Sequence, residues 1–194
     1  MRELNEVEMR IVDRTLYLIG QKGTVDVPVR AIVKEAKVNL GAINYYFDTK
    51  EQLLTLVREF YTDNMLKTVE FLENQTMDLE ERLIYYVNET MKYALLYPNS
   101  VVLVKDAYRS EVKNSASEEL IRTLNHMFSL LNASLKEYLG EHELEIKKMV
   151  FMSAMVHPTE DNANDGLYSG NIDTVEKRIY YIQCLLNMLK NSSC

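Results

Sequence analysis

Residues 39–50 read NLGAINYYFDTK. In a helix starting near Leu40, Ile43 and Phe47 stand four apart and share a face, while Leu40, Ala42, Asn44 and Tyr46 are left to other faces. With Ile32, Ala36 and Val38 from the segment just before it, the Ile43–Phe47 pair can close a small core against a first helix. What is left outward is amide, phenol and small apolar groups. Asn pairs with adenine and small apolar groups meet a thymine methyl, whereas amide and hydroxyl donors suit phosphate oxygens. For Tyr45 the competing reading is plain packing, and for Tyr46 and Lys50 plain surface.

The flanking residues fit a reading segment of this kind. The first helix is expected from about Asn5 to Gln21, with Leu4, Val7, Ile11, Leu18 and Ile19 on one face and Gly23 at its end. Pro28 suits the first turn of a short second helix through Ala36, because its missing donor would be unpaired there anyway. A four-residue turn, Ala36 to Asn39, then leads into the third short helix, about Leu40 to Phe47. A long fourth helix starts at DTKEQ, capped either by Asp48 with Glu51 or by Thr49 with Gln52 at the third helical position. Two short helices joined by a tight turn form the helix-turn-helix pattern.

The rest of the chain has the same character. Of 194 residues only six are Gly and three Pro, and apolar residues recur at three- and four-residue steps, so the expectation is all-α. Asp78 with Glu81 opens a fifth helix that Pro98 ends, and a short sixth runs from about Val101 to Tyr108. Ser115 or Ser117 opens a seventh that ends at Gly140. The last two are expected from about Glu143 to His157, stopped by Pro158, and from Thr174 to Lys190, capped by Asp173 with Glu176. Between them lies a polar loop, PTEDNANDGLYSGNI. The final two helices carry wide apolar faces, with Ile146, Met149, Val150, Met152, Ser153 and Val156 on one. Val175, Ile179, Tyr180, Ile182, Cys184, Leu185, Leu186 and Met188 lie on the other. That is more than one bundle partner needs, which argues for a second buried face between subunits.

Charge divides the chain. It holds 22 Lys and Arg against 29 Asp and Glu, a net of −7, and residues 1–50 carry +1 while 51–194 carry −8. A protein that coats nucleic acid with its whole surface is excluded; a local site is not. The two cysteines, Cys184 and Cys194, give neither a disulfide framework nor a thiolate zinc site. The charged start and the absence of a long apolar run lead to the expectation of a soluble cytoplasmic protein with no membrane span. His126, His142 and His157 are scattered and lack the Glu-x-x-His spacing of di-iron bundles. DNANDG, Asp161 to Gly166, superficially suggests a calcium loop, but Ala163 stands at the third ligand position and Ile172 where a bidentate Glu belongs. With no phosphate loop, nucleophile elbow or catalytic Cys/His spacing, no enzyme, metal or cofactor is expected.

Arg30-x-Ile32, Ala36, Val38, Gly41-Ala42-Ile43, Tyr45-Tyr46-Phe47 and Lys50-Glu51-x-Leu53 together resemble the N-terminal signature of the TetR family, the tetracycline-repressor-like regulators. The resemblance covers roughly residues 8–57; beyond that only the architecture is similar. It implies a helix-turn-helix DNA-binding domain at 1–50 and a ligand-binding and dimerisation helical bundle at 51–194. It further implies a homodimer through the last two helices that binds palindromic double-stranded operator DNA as a repressor and is released by a small-molecule effector. Carried over position by position, it makes Asn39, Leu40, Gly41 and Ala42 base readers. Asn44, Tyr45, Tyr46 and Lys50 become backbone anchors, and Arg30 grips the backbone or reaches a base. Arg30 has a surface alternative, pairing with Asp26 or Glu35. The sequence departs from the family where Lys37 replaces the usual turn glycine, Leu40 is apolar, and Asn44 replaces a frequent tyrosine. Lys37 implies a non-glycine residue at positive φ or a different turn. Tyr86, Met91, Tyr93, Tyr108, Met127 and Phe128 are the expected effector contacts, against the reading that such a stripe is ordinary core. The rival functions are a helical interaction protein and a small-molecule-binding or processing protein with a vestigial DNA-binding motif.

Overall fold

A computed structural model describes residues 2–110, 114–162 and 169–192. They form nine α-helices: α1 Glu6–Lys22, α2 Val29–Glu35, α3 Gly41–Phe47, α4 Lys50–Glu73, α5 Leu79–Leu96, α6 Val102–Arg109, α7 Ser115–Leu139, α8 Leu144–Asn162 and α9 Val175–Asn191. A single 3-10 turn, Ser169–Asn171, precedes α9. The chain is all-α among the described residues, as its periodicity implies. None of these helices is long and apolar enough to cross a membrane.

The helix starts follow from local side-chain chemistry. Asn5 caps α1 in a reciprocal box with Glu8, each side chain accepting from the other's backbone N–H. Asp78 and Glu81 do the same for α5. Of the two caps open for α4, Thr49 is used: its hydroxyl accepts from the Gln52 N–H at 3.2 Å. Two other starts differ from expectation. Asn114 rather than a serine caps α7, accepting from the Ser117 N–H at 2.9 Å. Thr174 rather than Asp173 caps α9, and the Asp173 carboxylate instead pairs with Lys177 at 2.9 Å.

The larger correction is at Pro158, which does not stop α8; the helix runs on to Asn162. Proline supplies no N–H, so the carbonyl of Ala154, four residues earlier, loses its helical partner. The Tyr181 hydroxyl of α9 donates to that carbonyl at 2.7 Å, and the Thr159 hydroxyl donates to the Val156 carbonyl at 2.7 Å. The Tyr181 hydroxyl thus replaces the donor that Pro158 lacks, and the helix continues. Of the two positions on which the calcium-loop comparison turns, Ala163 lies outside the described residues and Ile172 is buried.

The chain divides into two compact units, Met1–Met65 with Tyr97–Leu124, and Leu66–Leu96 with Asn125–Cys194. The core of the first includes Ile11, Val12, Leu16, Ile19, Ile32, Ile43, Phe47, Leu53 and Val57. In the second, Leu83, Tyr86, Val87 and Met91 of α5 pack with Phe151 and Met155 of α8 and Ile182, Leu185 and Leu186 of α9. Arg178 is buried there and ties α9 to α5 by donating to Asn88 Oδ1 at 3.0 Å.

The Pro158 repair is open to measurement. Tyr181→Phe removes only the hydroxyl, so it is expected to lower unfolding free energy by about 1 kcal/mol in urea titrations at fixed protein concentration. In a Pro158→Ala background, where residue 158 supplies its own N–H to Ala154, the same change is expected to cost measurably less.

Candidate nucleic-acid interface

α1 and α2 end in the same hydrogen-bonding device with different residues. At α1, Gly23 takes φ 64°; its N–H bonds to the Gly20 carbonyl at 3.2 Å and the Thr24 N–H to Ile19 at 3.3 Å. At α2, Lys37 takes φ 54°; its N–H bonds to Lys34 at 3.3 Å and the Val38 N–H to Val33 at 3.0 Å. This is the left-handed Schellman ending, in which glycine is usual because it lacks a Cβ. The turn geometry is therefore retained and Lys37 adopts it at a steric cost. Arg10 of α1 holds the same corner, its Nε donating to the Ala36 carbonyl at 3.0 Å.

From this corner the chain enters α3 through Asn39 and Leu40, with the Ala42 N–H bonded to the Asn39 carbonyl at 3.1 Å. No side chain caps α3. Ile43 and Phe47 are buried, as their spacing implies, and Asn39, Leu40, Gly41, Asn44 and Tyr45 are exposed. Ala42 is a correction: it is buried with Ile43 and Phe47, so its methyl lies on the inward side and not among the base-reading groups. Leu40 is 55% exposed and Tyr45 80% exposed, which answers the packing alternative for Tyr45. Tyr46 is half-buried, and the Tyr45 and Tyr46 rings meet edge to face at 4.8 Å.

Lys50 opens α4, and its ammonium pairs with Asp26 at 2.6 Å. Arg30 is exposed. The two acids offered as its surface partners are engaged elsewhere, Asp26 with Lys50 and Glu35 with Arg14 at 4.0 Å.

Sequence reasoning missed what braces these helices from behind. Residues 97–109 belong to the same compact unit as α1–α3. The Tyr97 hydroxyl donates to Asp13 Oδ1 of α1 at 2.5 Å, and Arg58 of α4 pairs with Asp106 of α6 at 2.9 Å. Gly20 lies so close to the Pro98 carbonyl that a Cβ there would sit 1.8 Å from its oxygen. A glycine in the last turns of an otherwise regular helix was the available signal, since glycine there is costly unless something approaches closely.

The expected effector residues are not gathered into one site. Tyr108 is exposed in the first unit, and the other five lie in the second. Tyr86 and Met91 are fully buried in its core, Met127 packs against that core, and Tyr93 is half-buried beneath Lys92. Phe128 lines a groove of about 500 Å³ with Met149 and Met152. Among the described residues the buried Tyr86 hydroxyl makes no hydrogen bond, and the Thr90 hydroxyl four residues on donates to the Tyr86 carbonyl at 2.8 Å. Burial pushes the Tyr86 phenol up to about 12. A larger groove of about 1090 Å³ lies between α8 and α9, lined by Met149, Val150, Pro158, Ile172, Tyr180 and Cys184 among others. Among the described residues no three His, Cys, Asp or Glu side chains cluster as metal ligands.

Comparison with known proteins begins at the N-terminal helices. Residues 11–57 match the model of the bacterial regulatory proteins of the tetR family. Over 87 residues the chain is 36% identical to the probable HTH-type transcriptional regulator YttP of Bacillus subtilis, covering 43% of this chain and 42% of that one. Over 136 residues it is 30% identical to the uncharacterized HTH-type transcriptional regulator YuxN of the same organism, covering 66% and 46%. The chain thus spans less than half the length of these curated relatives. A TetR-family transcriptional regulator from Bordetella parapertussis superposes with a TM-score of 0.70 at 12% identity, over 97% of this chain and 96% of that one. That likeness shows the shared fold.

The left-handed turn gives a stability prediction. Lys37→Gly relieves the Cβ crowding and is expected to raise unfolding free energy by about 1 kcal/mol in denaturant titrations. Gly23→Ala, at the equivalent position of α1, is expected to lower it by a similar amount.

Proposed function

We propose that this chain, which belongs to the tetR family of bacterial regulatory proteins, is a cytoplasmic, homodimeric transcriptional repressor that binds a palindromic operator and is released by a small-molecule effector. The functional division is a reading head at 1–50 and a sensing and dimerising part at 51–194. The observation that carries the reading is the two-sidedness of α3. Its inward face is closed by Ala42, Ile43 and Phe47, yet Leu40 and Tyr45 stand open to solvent beside Asn39 and Asn44. Exposed large apolar groups next to amides, on a helix held rigidly by its other side, suit a base-edge surface. Asn39, Leu40 and Gly41 then read bases; Asn44, Tyr45, Tyr46, Lys50 and Arg30 hold phosphates.

Dimerisation is supported by the way α8 and α9 divide their apolar residues. One set fills the core of the second unit. The other, Ile146, Met149, Val150, Val156, Val175, Tyr180 and Met188, is exposed, with Met149 and Tyr180 each 70% accessible. A two-fold axis through this face pairs it with itself and presents two heads about 34–36 Å apart, one helical turn of DNA. For the effector we keep to the five second-unit candidates, Tyr86, Met91, Tyr93, Met127 and Phe128. The unpartnered Tyr86 hydroxyl supports a ligand with a hydrogen-bonding group on an apolar body. Such a ligand acts by binding the non-DNA-binding conformation better, and its leverage is limited by that difference in affinity.

The test is a gel-shift titration on duplexes that the protein selects from a random-sequence pool. Binding is expected to be sequence-selective and to weaken steeply with salt; equal, weak binding to all sequences would contradict the reading. Tyr46→Phe, which removes one phosphate donor, is expected to reduce affinity about fivefold. Met149→Glu with Tyr180→Glu is expected to give a monomer in sedimentation velocity and to abolish the high-affinity shift.

A further inference from the structure

Of the two cations proposed to hold phosphate, Arg30 and Lys50, Lys50 already has an anionic partner in the free protein. Lys50 and Asp26 are 24 residues apart, and the ammonium lies 2.6 Å from the carboxylate. The Lys50 side chain is 31% exposed and that of Asp26 is 89% exposed, so the acid stands further into solvent than the cation it holds. Asp26 is also placed by its own loop. The preceding Gly23 is fixed in the left-handed region, the Asp26 N–H bonds to the Thr24 hydroxyl at 3.1 Å, and the next residue, Val27, is fully buried. Its carboxyl is held below the usual range by the hydrogen bond from Lys50 and then by the charge of that ammonium.

Other nearby charges do not share the arrangement. Among the described residues Arg30, Lys34 and Lys37 enter no ion pair, and Glu51, next to Lys50, is turned to Arg58 at 3.4 Å. Lys50 alone among the cations assigned to DNA is paired before DNA arrives. Carboxylate and phosphate oxygens accept the same charge-assisted hydrogen bonds from an ammonium. A phosphate that takes Lys50 must therefore displace Asp26, and its net gain is smaller than that of a phosphate meeting a free lysine.

We propose that Asp26 is a stand-in for the DNA backbone: its carboxylate occupies Lys50 in the free protein, is displaced by a phosphate on docking, and so limits affinity for every duplex. The proposal rests on the DNA-binding reading of the head. It makes Asp26 an affinity-setting residue that touches no DNA in the complex.

A double-mutant cycle on the full-length protein tests it by fluorescence anisotropy, using one duplex selected from a random pool by the wild type and one random-sequence duplex of equal length. Asp26→Asn is expected to tighten binding to both by about two- to fivefold, the range set by an exposed ion pair. Lys50→Gln is expected to weaken both and to reduce the salt slope by about one. In the Lys50→Gln background the gain from Asp26→Asn is expected to vanish. Unchanged or weaker binding by Asp26→Asn would overturn the proposal. An equal gain in both backgrounds would overturn it too, because Asp26 would then act as a general repulsive charge. Wild-type protein that selects no duplex at any salt would instead defeat the DNA-binding reading itself.

Discussion

A helix of seven residues has no stability of its own in water, because the cost of its first turn is never recovered over so short a length. α3 is such a helix, and it lacks even a side-chain cap. Its existence and its direction therefore depend on burying Ala42, Ile43 and Phe47. Every outward group on α3 inherits its position from that inward face. A change that loosens the burial displaces Asn39, Leu40, Asn44 and Tyr45 together, whatever their own chemistry.

The same dependence explains why the head is braced so heavily. The angle between α2 and α3 is set by a left-handed residue, and here a lysine fills it despite the crowding of its Cβ. Arg10 fastens the corner to α1. α1 is in turn fixed from behind by Tyr97 on Asp13 and by the near contact of Gly20 with the Pro98 carbonyl. The buried Arg58 joins α4 to α6 through Asp106. These contacts brace α1 and α4 from residues 97–109 within one compact unit, so a displacement of residues 97–109 is expected to reach α1 and α4.

Much of this was legible in the sequence, for reasons that can be named. The 3.6-residue periodicity gave the helices, and short-range cap chemistry gave their ends at Gly23 and Asp78 and narrowed the start of α4 to Asp48 or Thr49. The Ile43–Phe47 spacing gave the inward face of α3. The failures occurred where a distant contact decided. Pro158 reads as a stop until the Tyr181 hydroxyl, 23 positions later in the chain, takes up the carbonyl it strands. Ala42 reads as outward on a helical wheel, yet a methyl group is small enough to turn into the core at the edge of the face. The brace from residues 97–109 involves separations such as the 84 residues between Asp13 and Tyr97, and no local pattern encodes those. The effector candidates were least legible, because a core tyrosine and a ligand-binding tyrosine have the same spacing in the sequence.

The central claim is that two copies of α3 lie in successive major grooves on one face of DNA. Hydroxyl-radical footprinting of a duplex selected by the protein tests it directly. The account predicts two protected patches on one face of the duplex, centred about one helical turn apart, both lost when Tyr45 and Asn44 are replaced by alanine in a protein that remains folded and dimeric. A single patch, protection spread evenly along the duplex, or a footprint unaltered by those substitutions would contradict it.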